Sequence, residues 1–381
     1  MFKIKIKSTN IKELVGKIES IANDGTSQCV IFENKNNTLT LTGFNRKDLL
    51  RIRTQDYISI ENGKISFDIE NLKLLKTLTG DITISQDAED FIFVVAGKKK
   101  IKIQTVPSEY EFYHLNNENF IEKIKMKECN LLETLTKLYP FIGFKSVQEI
   151  LSFYHFNLEY NAIEVCDSYT IMTRSIADNE KINSGNFLLH NRVYEYLKKI
   201  LNKKSENPVS IYEGDKYIKI LGDEFEYYQY KPNGAEYLNI SRIVNFQSNT
   251  EFMVKTQDFR SCIEYYTKNV YVKNWKSNKK LYKPLLIKYK NGQVITYTRS
   301  KVTVGDSIEN GEFVGDTLVQ AVDPYLLEKV LKAVDTENTK VLCSTRFSPI
   351  KFITGKYTLL LCPMKCVDIE SFISEMEEYI S

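Results

Sequence analysis

Three histidines, His114, His155 and His190, and seven cysteines, Cys29, Cys129, Cys166, Cys262, Cys343, Cys362 and Cys366, are the side chains best suited to metal or nucleophilic chemistry. Metal sites need such residues at short, regular spacings, and none stands in an H-x-x-x-H, H-x-E or C-x-x-C pattern. The odd number and wide scatter of the thiols suit buried, reduced side chains and not a disulfide framework. Thr354-Gly355-Lys356-Tyr357 comes nearest to a phosphate loop. Ile350 stands where its upstream glycine belongs, however, and no Ser or Thr follows the lysine, so it reads as a turn. Cys166-Asp167-Ser168 lacks the paired base that a nucleophile loop requires and reads as the exit of a hairpin. The sequence therefore assigns no catalytic residue, no metal and no cofactor.

What the side chains do offer is positive charge. Over the whole chain 52 basic residues nearly balance 49 acidic ones, a net +3. Five of those acids lie in the last fifteen residues, which hold no base, so the preceding chain carries 52 bases against 44 acids. Lys12, Lys17, Lys73, Lys76, Lys137, Arg192, Lys198, Lys199, Arg260, Lys329 and Lys332 fall on the polar faces of expected helices, among acids such as Glu13, Glu19, Glu133 and Glu195. Charges so placed form either an ordinary solvated face or a surface for phosphates. Lysine outnumbers arginine there, and a flexible, hydrated ammonium suits loose backbone contact better than base readout by a bidentate guanidinium. No helix-turn-helix, zinc finger or aromatic RNA-binding motif is present, so if these faces meet phosphates they do so without regard to sequence.

At 381 residues the chain is too long for one ordinary domain. With 43% apolar and 12% aromatic residues it is a folded protein, and a mean hydropathy of −0.31 with no 18-residue apolar run excludes a membrane span. Met1-Phe2-Lys3-Ile4-Lys5-Ile6-Lys7 alternates apolar and charged residues, which predicts a strand and not a secretory leader, so the expected location is cytoplasmic.

The elements that carry the cations recur three times. Each third opens with an i, i+3, i+4, i+7 stripe: Ile11, Leu14, Val15, Ile18; Leu131, Leu132, Leu135, Leu138; and Phe259, Cys262, Ile263, Tyr266. Each stripe precedes a predicted hairpin: Cys29 to Phe32 with Leu39 to Thr42 through Asn36-Asn37, Phe156 to Glu159 with Ile163 to Cys166 through Asn161, and Leu285 to Tyr289 with Val294 to Tyr297 through Asn291-Gly292. A second helix follows, from Asp68, Asn191 or Asp323, and then three strands. A period of about 125 residues is that of domains and not of a solenoid repeat. The expected fold class is α+β, with modules over 1–119, 120–246 and 247–366 and an acidic extension over 367–381. Each module places two helices on one face of antiparallel sheet, and modules joined edge to edge would form an arc.

Together with Leu39-Thr40-Leu41-Thr42-Gly43, Tyr237-Leu238-Asn239-Ile240-Ser241-Arg242-Ile243, Tyr325-Leu326-Leu327, Ser348-Pro349-Ile350 and the run Leu359-Leu360-Leu361-Cys362-Pro363-Met364-Lys365, this threefold order resembles the bacterial DNA polymerase III beta subunit, the replicative sliding clamp. The resemblance covers about residues 1–366. It implies a non-catalytic processivity factor: a head-to-tail homodimer whose six DNA-clamp modules close a ring around duplex DNA. It also implies tethering of the DNA polymerase III catalytic subunit, the clamp loader and other clamp-binding proteins through a peptide pocket between modules 2 and 3. By position that pocket would comprise Phe153, Ser168, Tyr169, Thr170, Ile171, Leu238, Arg242, Ile243, Tyr282, Val322, Tyr325, Phe347, Pro349, Leu360, Cys362, Pro363, Met364 and Lys365. Its aliphatic and aromatic members would receive apolar peptide anchors, and Arg242 and Lys365 would meet polar groups at the rim.

The chain departs from the family pattern in three places. Ser168-Tyr169-Thr170-Ile171 stands where the family usually has Gly-His-Arg-Leu, and Cys362 stands where a methionine commonly precedes the proline. The chain also continues past Cys366, with Ile369, Phe372, Ile373, Met376 and Ile380 at helical spacing among acids, which predicts an amphipathic helix packed on the third module. If that helix lies over the pocket it restricts access, and truncation after Cys366 should tighten peptide binding. The alternatives are a monomeric clamp-like adaptor that keeps only the pocket, and an enzyme using a cysteine.

Overall fold

The computed structural model describes residues 2–22, 29–86, 90–106, 115, 118–144, 146–232, 234, 236–270, 284–299, 303–366 and 368–380. The chain divides into two compact units, Met1–Thr136 with Ala177–Ala235, and Lys137–Ile176 with Glu236–Ser381.

In the first unit, five antiparallel strands follow the order Ile58–Glu61, Phe2–Lys7, Asp81–Gln86, Phe91–Ala96, Lys99–Gln104. A second sheet runs Ile121–Lys127, Pro208–Glu213, Tyr217–Leu221, Phe225–Tyr230, Asp48–Thr54, Thr38–Phe44, Cys29–Lys35, Gly63–Asp68. The helices Ser8–Ala22, Ile69–Leu75 and Arg192–Leu197 pack together, the first against both others. The expected stripe of the first helix is its core face, since Ile11, Leu14, Val15 and Ile18 are all buried. This helix lies so close on the sheet that a Cβ at Gly43 would come within 2.8 Å of the Ile18 side chain, which is why glycine ends the Leu39-Thr40-Leu41-Thr42-Gly43 run.

In the second unit the strands follow the order Phe153–Asn157, Ala162–Cys166, Thr170–Ser175, Tyr357–Leu361, Ile350–Thr354, Asn338–Cys343, Thr250–Lys255, Thr303–Gly315, Gln293–Arg299, Leu285–Lys290, Leu318–Val322. The helices Thr256–Tyr265 and Pro324–Ala333 pack together. The long strand Thr303–Gly315 serves two partners: residues 303–309 pair with Gln293–Arg299, and residues beyond 309 pair with Thr250–Lys255.

Local chemistry explains the turns and caps. Asn36 and Asn37 adopt φ of 52° and 56°, Asn161 50° and Gly292 81°, the left-handed values that short hairpin loops need. Asp68 caps the helix Ile69–Leu75 by accepting from the Glu70 N–H, and Asp323 caps Pro324–Ala333 by accepting from the Tyr325 and Leu326 N–H groups. Asn191 makes no such bond. At that helix His190 Nδ1 accepts from the Arg192 N–H at 3.2 Å.

Each third of the chain repeats one element order: a strand, a helix, a hairpin, further strands, a second helix and three strands. Strands that the sequence reading did not anticipate join these blocks. Asp48–Thr54, the strand after the first hairpin, pairs antiparallel with Phe225–Tyr230, the last strand of the middle third. Its counterpart Thr170–Ser175 pairs in the same way with Tyr357–Leu361, the last strand of the final third.

Candidate functional site

In the second unit the segments that hold the expected pocket residues are tied to one another by short polar contacts. The Asp167 carboxylate accepts from the Tyr169 and Thr170 N–H groups at 3.0 and 2.7 Å, closing a turn in which Ser168 takes φ of 82°. The Cys362 N–H donates to the Tyr169 carbonyl at 2.9 Å, and the Met364 N–H donates to the Ala321 carbonyl at 2.7 Å. Ile171 lies opposite Leu360 across the strand pair, and both join Leu151, Cys166 and Ile240 in one buried cluster. Ile240 begins the short helix Ser241–Val244, whose start is trimmed by a bond from Ser241 Oγ to Asn239 Oδ1 at 2.6 Å. The buried Gln320 amide donates to the Thr345 and Ser348 carbonyls at 2.9 and 2.8 Å, holding the loop that presents Phe347.

Exposure then sorts the expected residues. Phe153, Thr170, Ile171, Val322 and Leu360 are buried and supply packing. Tyr325, Pro349, Cys362, Pro363 and Met364 are half-buried. Tyr169 (62%), Phe347 (66%), Leu238 (41%) and Ile243 (42%) are exposed apolar side chains, and Ser168, Arg242 and Lys365 are exposed polar ones. These four are the large apolar side chains of the expected set that stay open to solvent. Tyr282 lies outside the described residues.

Asp167, Gln320 and Lys329 hold this site, and none of them was expected in it. Lys329, read from sequence as facing DNA, turns instead to the Asp167 carboxylate at 2.5 Å and to Thr170 Oγ1 at 3.1 Å, with its ammonium 4.5 Å from the centre of the Phe141 ring. Asp167 carried a legible signal, a carboxylate two and three residues before the amides it accepts from. Lys329 and Gln320 reach partners remote in sequence and carried none.

The other expected cations divide in two. Arg192 lies 3.1 Å from the fully buried Asp48, Arg260 donates to the Leu331 and Val334 carbonyls at 3.0 and 2.7 Å, and Lys137 pairs with Asp335 while lying 4.6 Å from the Tyr357 ring centre. These three serve the fold. Lys17, Lys73, Lys198 and Lys332 pair with Glu13, Glu70, Glu195 and Glu328 one turn away, and Lys76 with Glu19 on the neighbouring helix at 3.0 Å. Such pairs are worth only tenths of a kcal/mol. Lys12 and Lys199 have no ion-pair partner among the described residues.

Burial also sets the character of the thiols and histidines. It pushes the Cys166 thiol up to about 11 and the Cys262 thiol up to about 12, and it raises Cys29, Cys343 and Cys362, the last aided by the Asp167 charge. These thiols stay protonated near neutrality and are poor nucleophiles. His155 is buried against Glu164 at 2.8 Å and stacks on Tyr237, and burial and then Arg192 and Lys47 push His190 down to about 3. His114 lies outside the described residues. Among the described residues no cluster of His, Cys, Asp and Glu could hold a metal, and no helix is long and apolar enough to cross a membrane.

The backbone decides the fold. The structure matches the DNA polymerase sliding clamp of Bacillus subtilis with a TM-score of 0.83 at 15% identity, over 96% of this chain and 99% of that one. It matches the sliding clamp of Pseudomonas aeruginosa with a TM-score of 0.81 at 15% identity, and the DNA polymerase III beta subunit of Thermotoga maritima with 0.79 at 15%, each over 96% of this chain and all of the other. The chain has the sliding-clamp fold. No protein-family model matches the sequence, and no curated protein matches it in a sequence comparison. The clamp fold therefore persists here where sequence likeness has nearly gone.

Proposed function

We propose that the chain is a non-catalytic DNA sliding clamp, a processivity factor built from modules over 1–119, 120–246 and 247–366. Two copies join head to tail as a six-module ring around duplex DNA, met independently of sequence. The exposed apolar surface around Tyr169, Leu238, Ile243 and Phe347 receives linear peptides from the DNA polymerase III catalytic subunit, the clamp loader and other clamp-binding proteins. Its setting is the cytoplasm.

One observation carries the ring. In two thirds of the chain the strand after the first hairpin pairs with the last strand of the following third, as Asp48–Thr54 does with Phe225–Tyr230 and Thr170–Ser175 with Tyr357–Leu361. The final third has no following third, and its counterpart, residues 303–309, pairs on one side only among the described residues. The last strand of the first third, Lys99–Gln104, is likewise the end strand of its sheet. An exposed edge of this kind is a template for another chain. The two edges are of similar length and opposite charge: Lys99, Lys100 and Lys102 are exposed on one, Asp306 and Glu309 on the other. A second copy satisfies both edges at once by the rule the chain already follows twice.

The test is mass in solution by sedimentation. The native chain sediments at twice 44.3 kDa. Lys99→Glu, Lys100→Glu and Lys102→Glu together give the single-chain mass, and adding Asp306→Lys and Glu309→Lys restores the double mass. A native chain at 44.3 kDa would overturn the ring and leave a monomeric adaptor.

A further inference from the structure

Segment 367–381 forms the helix Ile369–Ile380 on the sheet face of Leu286, Tyr297 and Ala321, with Ile369, Phe372 and Met376 buried against them. The Phe372 and Tyr379 rings lie 5.4 and 5.6 Å from the Tyr297 ring, and Glu377 pairs with Lys288 at 2.8 Å. The helix packs as expected on the sheet of the final third, and Tyr169, Leu238, Ile243 and Phe347 stay exposed with it in place.

The helix touches the proposed peptide surface in two ways. It continues directly from the Cys362-Pro363-Met364-Lys365 wall, whose Met364 N–H is bonded to Ala321, itself under the helix. Its first turn also reaches the Phe347 loop, where Glu370 pairs with Arg346. The loop is thus held from one side by Gln320 and from the other by Glu370.

We infer that the C-terminal helix is a positioning element for the peptide surface, which it preorganises by pinning the wall at residues 362–366 and the loop bearing Phe347. The inference rests on the peptide-binding reading of that surface. Its ligand class is an extended peptide with apolar anchors and acidic flanks, matched to the exposed aromatic and aliphatic groups and to the Arg242 and Lys365 charges. A binder whose wall is already ordered avoids the entropy cost of ordering it on binding.

The experiment is fluorescence anisotropy with a fluorescein-labelled acidic peptide carrying leucine and phenylalanine anchors. The full chain is compared with a chain ending at Cys366, with Arg346→Glu, and with Arg346→Glu combined with Glu370→Arg. Truncation is expected to weaken binding about tenfold, Arg346→Glu about twofold, and the double exchange is expected to recover the native value. Unchanged or tighter binding by the truncated chain, with no recovery in the double exchange, overturns the inference while leaving the peptide surface intact. If the full chain fails to bind the peptide at all, the surface reading and the inference fall together. If truncation unfolds the chain, as far-ultraviolet circular dichroism would show, the two charge variants decide: recovery supports the inference and its absence overturns it.

Discussion

Replacing Lys329 by methionine keeps most of the apolar stem of the side chain and removes the ammonium with its charge and donors. The ammonium sits 2.5 Å from Asp167 Oδ2 and 3.1 Å from Thr170 Oγ1, with side-chain exposures of 23% and 16% for the lysine and the aspartate. A net charged hydrogen bond contributes about 1.5–3 kcal/mol, and breaking a fully buried pair costs about 3–5. Water reaches this pair in part, so we expect a loss of about 2 kcal/mol, carried mainly by the stranded Asp167 carboxylate. Urea unfolding of the single variants and of Lys329→Met with Asp167→Asn gives the coupling directly, since the carboxylate's bonds to the Tyr169 and Thr170 amides have neutral counterparts in asparagine. Lys329→Arg keeps most of the stability. Because the turn displays Tyr169, the methionine variant also binds the labelled peptide several-fold more weakly, whereas DNA binding keeps its affinity and salt dependence. Coupling below about 0.5 kcal/mol, or a loss of DNA binding equal to that of Lys12→Glu with Lys199→Glu, would refute the reasoning and return Lys329 to the DNA surface.

Tyr169→Ser and Phe347→Ser each remove an exposed ring and should weaken the same peptide at least tenfold while leaving the unfolding midpoint within error, as anisotropy and urea titration would report. Lys12→Glu with Lys199→Glu should lower affinity for duplex DNA and flatten its salt dependence, since each lost phosphate contact removes about 0.9 from the logarithmic slope. His190 is held down at about 3 against an ordinary 6.5, so the unfolded chain binds its proton first and stability falls as pH drops through 6.5 toward 3. Between pH 7 and pH 5 this costs the native chain about 1–2 kcal/mol, a loss that His190→Asn escapes while keeping an acceptor for the Arg192 N–H.

The legible parts of the fold were those whose signals are local. Asn36-Asn37 and Asn291-Gly292 announced hairpins because a two-residue loop demands left-handed backbone, and Asp68 and Asp323 announced helices because a carboxylate satisfies the first free amides. The joining strands were silent for a physical reason. Asp48–Thr54 and Thr170–Ser175 each pair on one edge with the strand just before them and on the other with a strand remote in sequence, which no local pattern announces, and residues 303–309 carry Gly305, Asp306 and Ser307 instead of a buried alternation. At the proposed peptide surface the exposed rings were named through the family resemblance, but the groups that hold their segments were not, since Gln320 grips a loop 25 residues away and Lys329 a turn 162 residues away. The cations divided in the same manner. Glu13 with Lys17 and Glu328 with Lys332 are readable at i, i+4, whereas the buried Asp48 that claims Arg192 is not.

The central claim is enclosure, and it is tested most directly by retention on DNA of two topologies. The native chain, loaded by a clamp loader onto a nicked circular plasmid and passed through a gel-filtration column in high salt, is predicted to co-elute with the circle and to separate from it once a restriction enzyme linearises the plasmid. Equal retention on the circular and linear forms, or release from both, would contradict a ring that holds DNA by surrounding it.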